Sequence, residues 1–69
     1  MSEHSVTVNG ERMAVPVGTS VAGLLERLGV ANPRVAVERN RDILPKARYS
    51  ETEVAEGDIY EVVELVGGG

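Results

Sequence analysis

Apolar and polar residues alternate through "SVTVNGERMAVPV": Val6 and Val8 flank Thr7, and Asn9-Gly10 interrupts before a second run, "RMAVPV". Alternation of this kind marks a half-buried strand. Asn-Gly is the strongest short hairpin signal, because a two-residue turn of this type needs positive φ at both central positions. The pattern predicts a β-hairpin. Pro16 has no N–H to give to a ladder, which places the second strand, or at least its end, at a sheet edge. The period then changes. In "GTSVAGLLERLG" Val21, Leu24, Leu25 and Leu28 recur at helical spacing and make one apolar stripe. Ser20 or Thr19 offers an N-cap oxygen, and Gly29 suits the left-handed position after the helix. Gly23 costs this helix roughly 1 kcal/mol against alanine and reads as a tolerated small residue. Leu24, Leu25 and Leu28 are expected to supply most of the helix side of the core.

The next segment, "VANPRVAVERNRDILP", opens with a loop at Asn32-Pro33 and continues as a strand with Val35 and Val37 on one face. A short extended piece, "ILP", ends at Pro45. "KARYSETEVAEGD" is polar and rich in turn formers, with Tyr49 and Val54 as its anchors, and "EGD" turns the chain into "IYEVVELV". That run is dense in β-branched residues and is the longest strand candidate. Splitting it by face sets Tyr60, Val62, Glu64 and Val66 against Ile59, Glu61, Val63 and Leu65. One helix covers only one face of a sheet, so Tyr60 and Val62 are expected beneath it and Val63 and Leu65 outside. The order of elements predicts an α+β fold, a ubiquitin-like β-grasp with a mixed four- to five-stranded sheet on one main helix. Residues 1–66 read as this domain and residues 67–69 as a flexible C-terminal glycine tail.

Composition narrows the chemistry. The 69 residues include no cysteine and one histidine, His4, which removes a disulfide framework, a thiolate zinc site and a cysteine nucleophile. A chain this short must find its stability in patterned aliphatic burial. The net charge of −4 argues against nucleic acid as a partner. No run is long enough to cross a bilayer and no secretory signal stands at the start, so a cytoplasmic protein is expected, with no membrane partner. Charge is unevenly placed. Arg34, Arg39, Arg41, Lys46 and Arg48 cluster in the middle, whereas Glu51, Glu53, Glu56, Asp58, Glu61 and Glu64 follow with no base among them. Most of these acids read as solubilising surface. Glu61 and Glu64 flank the tail and, with Val63 and Leu65, are the candidates for docking a partner.

The tail, "GGG", cannot build structure. Read as function rather than as a cloning remnant, Gly67 and Gly68 let an extended backbone thread a narrow tunnel, and Gly69 brings its carboxylate to a reacting centre. That carboxylate is ionised at neutral pH, with a reference pKa of about 3.3–3.7, and is a poor electrophile until activated. Attack on the α-phosphate of ATP would activate it. The chain has no phosphate-binding glycine loop before a helix, so the activating groups must belong to a partner. It reads as a carrier and not as an enzyme.

"VTVNGE", "GTSVAGLLERLG", "VAVERNRDILP" and "EGDIYEVVELVGGG" follow in an order that resembles the ThiS sulfur carriers of thiamine biosynthesis over nearly the full chain. The resemblance implies a β-grasp fold and a tail adenylated at Gly69 by an E1-like adenylyltransferase (ThiF-like) that uses Mg-ATP. It implies further that sulfur from a cysteine desulfurase system replaces AMP to give a thiocarboxylate. A thiazole synthase (ThiG-like) would then receive the sulfur. No cofactor is expected on the chain itself. The small subunit of molybdopterin synthase, a carrier for tRNA thiolation, and a ubiquitin-like modifier that passes Gly69 to lysines remain alternatives, as does an adaptor in which the glycines are incidental.

Overall fold

The computed structural model describes residues 2–65, which form β1 (Glu3–Val8), β2 (Glu11–Pro16), α1 (Val21–Arg27), β3 (Val35–Arg39), β4 (Asp42–Leu44) and β5 (Ile59–Glu64). A 3-10 turn at Lys46–Arg48 lies between β4 and β5. The strands make one mixed sheet in the order β2-β1-β5-β3-β4. Two antiparallel hairpins, β1/β2 and β3/β4, therefore flank β5, which runs parallel to β1 and antiparallel to β3. This is the expected β-grasp in its five-stranded form. Pro16 ends β2, an edge strand, where its missing N–H leaves no gap in a ladder.

The first hairpin closes as its sequence requires. Val8 pairs with Glu11, and Asn9 and Gly10 adopt φ of 50° and 83° between them. α1 is capped at both ends. Ser20 Oγ accepts from the Gly23 N–H at 3.0 Å. The N–H groups of Val21 and Ala22, which have no partner within the helix, donate instead to the carbonyls of Thr52 and Tyr49. The polar loop after β4 is thus stitched to the start of α1. At the other end Gly29 (φ 76°) donates to the Glu26 carbonyl and Val30 to the Leu25 carbonyl, a Schellman closure. A Cβ on Gly23 would stand 3.3 Å from Thr19 Cγ2, so the missing side chain there also gives the capping turn room.

The core is aliphatic, as composition demands: Val6, Val8 and Val15 from the first hairpin, Val21, Leu24 and Leu25 from α1, and Val37 from β3. Tyr49, Val54 and Tyr60 complete it. Two expectations need correction. Leu28 is exposed: the helix ends at Arg27, and Leu28 is its C-cap, over a groove with Val8, Val30 and Val62. Val21 takes its share of the core. Nor is β5 the longest strand, since β1, β2 and β5 each span six residues. Its ladder stops where β3 begins, at the Val35–Glu64 pair.

Candidate functional site

The candidate site is the end of β5 and the sheet face around it. Gly67, Gly68 and Gly69, with Val66, lie outside the described residues. Tyr60 is fully buried and Val62 partly so, facing α1. Val63 and Leu65 are about half exposed (53% and 52%), and Ile59 shares their face. Glu61 belongs with them. Glu64 does not, because it sits on the opposite face and borders the groove beneath Leu28. The structure therefore brings together three of the four predicted docking residues and separates the fourth.

Pairing extends this outer face across the sheet. Val63 stands opposite Ala36, and Glu61 opposite Glu38, which in turn pairs with Ile43 of β4. Ile43 is the most exposed large apolar residue described, and only the alternation in "DIL", with Leu44 turned inward, signalled it. Glu38 and Glu61 are like charges set directly opposite each other, an unfavourable cross-strand pair. Neither is in an ion pair among the described residues.

The entry to β5 is fixed by Asp58, a buried carboxylate. Its Oδ2 accepts from Arg39 Nε at 3.1 Å, the Ala55 N–H at 2.9 Å and the Tyr60 hydroxyl at 2.8 Å. Its Oδ1 accepts from Asn40 Nδ2 at 3.1 Å. Burial alone would push this carboxyl up. The hydrogen bonds from Ala55, Tyr60, Asn40 and Arg39 outweigh that and hold it below the usual carboxylate range. Burial, and then the bond to Asp58, pushes Tyr60 up to about 12. In the sequence Asp58 reads as one of the solubilising acids; the "EGD" turn is its local signal, and although Ala55 and Tyr60 are close in sequence, Arg39 and Asn40 come from β3 and the turn after it. No cluster of metal-ligating side chains occurs among the described residues, and no helix there is long and apolar enough to cross a membrane.

The ThiS family model matches residues 6–69, from β1 through the glycines. This chain belongs to the ThiS family. The sulfur carrier protein ThiS of Bacillus subtilis is 42% identical over 50 residues, which cover 72% of this chain and 76% of that protein. The thiazole synthase of Paramagnetospirillum magneticum is 42% identical over 64 residues, covering 93% of this chain. The chain spans only about a fifth of the length of that synthase and of the one from Magnetococcus marinus. Among solved structures, the crystal structure of the thiamine biosynthesis protein ThiS from Geobacter metallireducens superposes with a TM-score of 0.76 at 35% identity. The match covers 94% of this chain and 99% of that one. The five-stranded sheet with one flanking helix is thus the ThiS fold.

Proposed function

We propose that this ThiS-family chain carries sulfur for the thiazole ring of thiamine, as a thiocarboxylate on Gly69. The observation that carries the reading is the family match, which runs through the final glycines and not only through the folded body. The chemistry follows from what a carboxylate lacks. An oxygen of the Gly69 carboxylate attacks the α-phosphate of Mg-ATP on an adenylyltransferase, pyrophosphate leaves, and an acyl-adenylate forms. The terminal sulfur of a donor persulfide then attacks the acyl carbon and expels AMP. A thiol cleaves the resulting S–S bond and frees the thiocarboxylate. Gly67 and Gly68 thread the segment into the partner without Cβ atoms to obstruct it. The two relatives named thiazole synthase, each with a ThiS-like segment in a longer protein, support a thiazole synthase as the recipient.

The chain's own part is docking and delivery. Val63 and Leu65, with Ile59 and Ile43 nearby, offer apolar area beside the strand that leads to the tail, and Glu61 offers charge that a basic partner surface would neutralise. Glu64 would meet a partner only from the helix side.

Removing Gly68 and Gly69 tests the reading. The truncated chain should melt with the full one, since the core lies within residues 6–60, yet support no thiazole formation with the cognate enzymes. Thiazole formation at the normal rate would contradict it and favour an adaptor role.

A further inference from the structure

Asn9 does more than close a turn. Glycine or aspartate would satisfy the same positive φ, so the hairpin does not require a carboxamide. In the fold that carboxamide reaches across the sheet to β5. Asn9 Oδ1 accepts from the Val62 N–H at 2.8 Å, and Asn9 Nδ2 donates to the Val62 carbonyl at 3.1 Å. The Asn9 backbone N–H donates to the Tyr60 carbonyl at 2.9 Å. The pairing of β1 with β5 ends at Val8 and Tyr60, because β1 turns away there into β2. The side chain therefore stands where the next peptide of a longer β1 would stand. On its other flank β5 keeps backbone pairing as far as Glu64, and the Leu65 N–H donates to the Arg34 carbonyl at 2.8 Å.

The opposite end of β5 has a counterpart. Asn40, in the β3/β4 turn with φ 52°, accepts from the Ile59 N–H at 2.9 Å through Oδ1. Its backbone N–H donates to the Ile59 carbonyl at 2.7 Å. Two turn asparagines thus grip the central strand, Asn40 where it enters and Asn9 where it leaves toward the glycines.

We propose that Asn9 is a positioning residue for the carrier reaction: its carboxamide fixes the last span of β5, from which the chain continues to Gly69. The proposal rests on the sulfur-carrier reading for its functional half. A carboxylate must reach its partner's ATP in a near-attack arrangement, and a loosened lead-in would have to be ordered at binding. That cost falls on association, so it raises KM and leaves kcat in place.

Asn9→Gly keeps the turn and removes both bonds to Val62; Asn9→Asp keeps only the acceptor. Asn40→Gly is the comparison, since it also removes a grip on β5 and releases a bond to Asp58, but at the end remote from the tail. Hydrogen exchange of the Val62 amide in the free chain should accelerate roughly tenfold in Asn9→Gly beyond the change in core amides, the scale of one net hydrogen bond. With the cognate adenylyltransferase, KM for Asn9→Gly should rise by a similar factor, about tenfold, at unchanged kcat, and Asn9→Asp, which sets a carboxylate oxygen against the Val62 carbonyl, should not restore the wild-type value. Asn40→Gly should lower the melting temperature at least as much and leave KM unchanged. Val62 exchange that merely follows the core amides would overturn the clamp. An equal rise in KM for both glycine variants would overturn its positioning role. If the wild-type chain is not adenylated at all, the sulfur-carrier reading fails, and Val62 exchange alone decides the clamp.

Discussion

Asp58 and Tyr60 lie two residues apart, and between them they join three parts of the chain: the β3/β4 turn, the loop before β5 and the buried face of β5. Removing the charge at this point tests the network. Asp58→Asn leaves Arg39 without its ion pair and sets one donor against another, so it should cost about 3 kcal/mol at neutral pH. The pH dependence has a definite sign. The Asp58 carboxyl is held below its unfolded value of about 3.9, so its contribution is present above that value and is lost as pH falls through the lower, folded one. The gap between wild type and variant should therefore narrow as pH falls below about 4. A gap that widened on acidification would mean that Asp58 is not the anchor described. Two of its four donors, Ala55 and Tyr60, are close in sequence, but Arg39 and Asn40 lie 19 and 18 positions away and reach it only through the fold, which is why its anchoring role was not legible locally. Asn9 was legible as a turn residue for local reasons, but its hold on Val62 spans 53 positions and exists only once β5 lies beside β1.

At the scale of elements the periods in the sequence were sufficient for placement and insufficient for ends. The hairpin, the helix, β3, β4 and the last strand stand where alternation or helical spacing put them, because each must turn an apolar face to one shared core. The exact limits depend on neighbours. β5 stops pairing where β3 starts, and the apolar stripe of α1 outlasts the helix by one residue. That residue gives a direct contrast. Leu24 is fully buried, and Leu24→Ala should cost roughly 2–5 kcal/mol, a large share of the stability of so small a domain. Leu28→Ala, at a helix cap about one-third exposed, should cost clearly less, about 1 kcal/mol. Thermal melts of the two variants check this. Equal losses would restore Leu28 to the core and contradict the observed burial.

The whole molecule sets its sites by topology. Because β5 runs between the two hairpins, the strand that leads to the tail is the central strand of the sheet, and its outer face is the middle of an exposed surface. The outward position of Val63 and Leu65 was legible from alternation and from the presence of one helix. The breadth of that surface was not, since Ile43 and Glu38 join it through strand order, which alternation does not specify. Glu64 illustrates the converse: adjacent to Val63 and Leu65 in sequence, it belongs to the other side of the sheet. In the proposed reading, this body presents Gly69 for sulfur loading. The most direct measurement is the intact mass of the chain after incubation with its adenylyltransferase, Mg-ATP and a sulfur donor. A sulfur carrier should show a gain equal to one exchange of oxygen for sulfur, located at Gly69. An unchanged mass, with the adenylyltransferase shown to be active on another carrier, would contradict that reading.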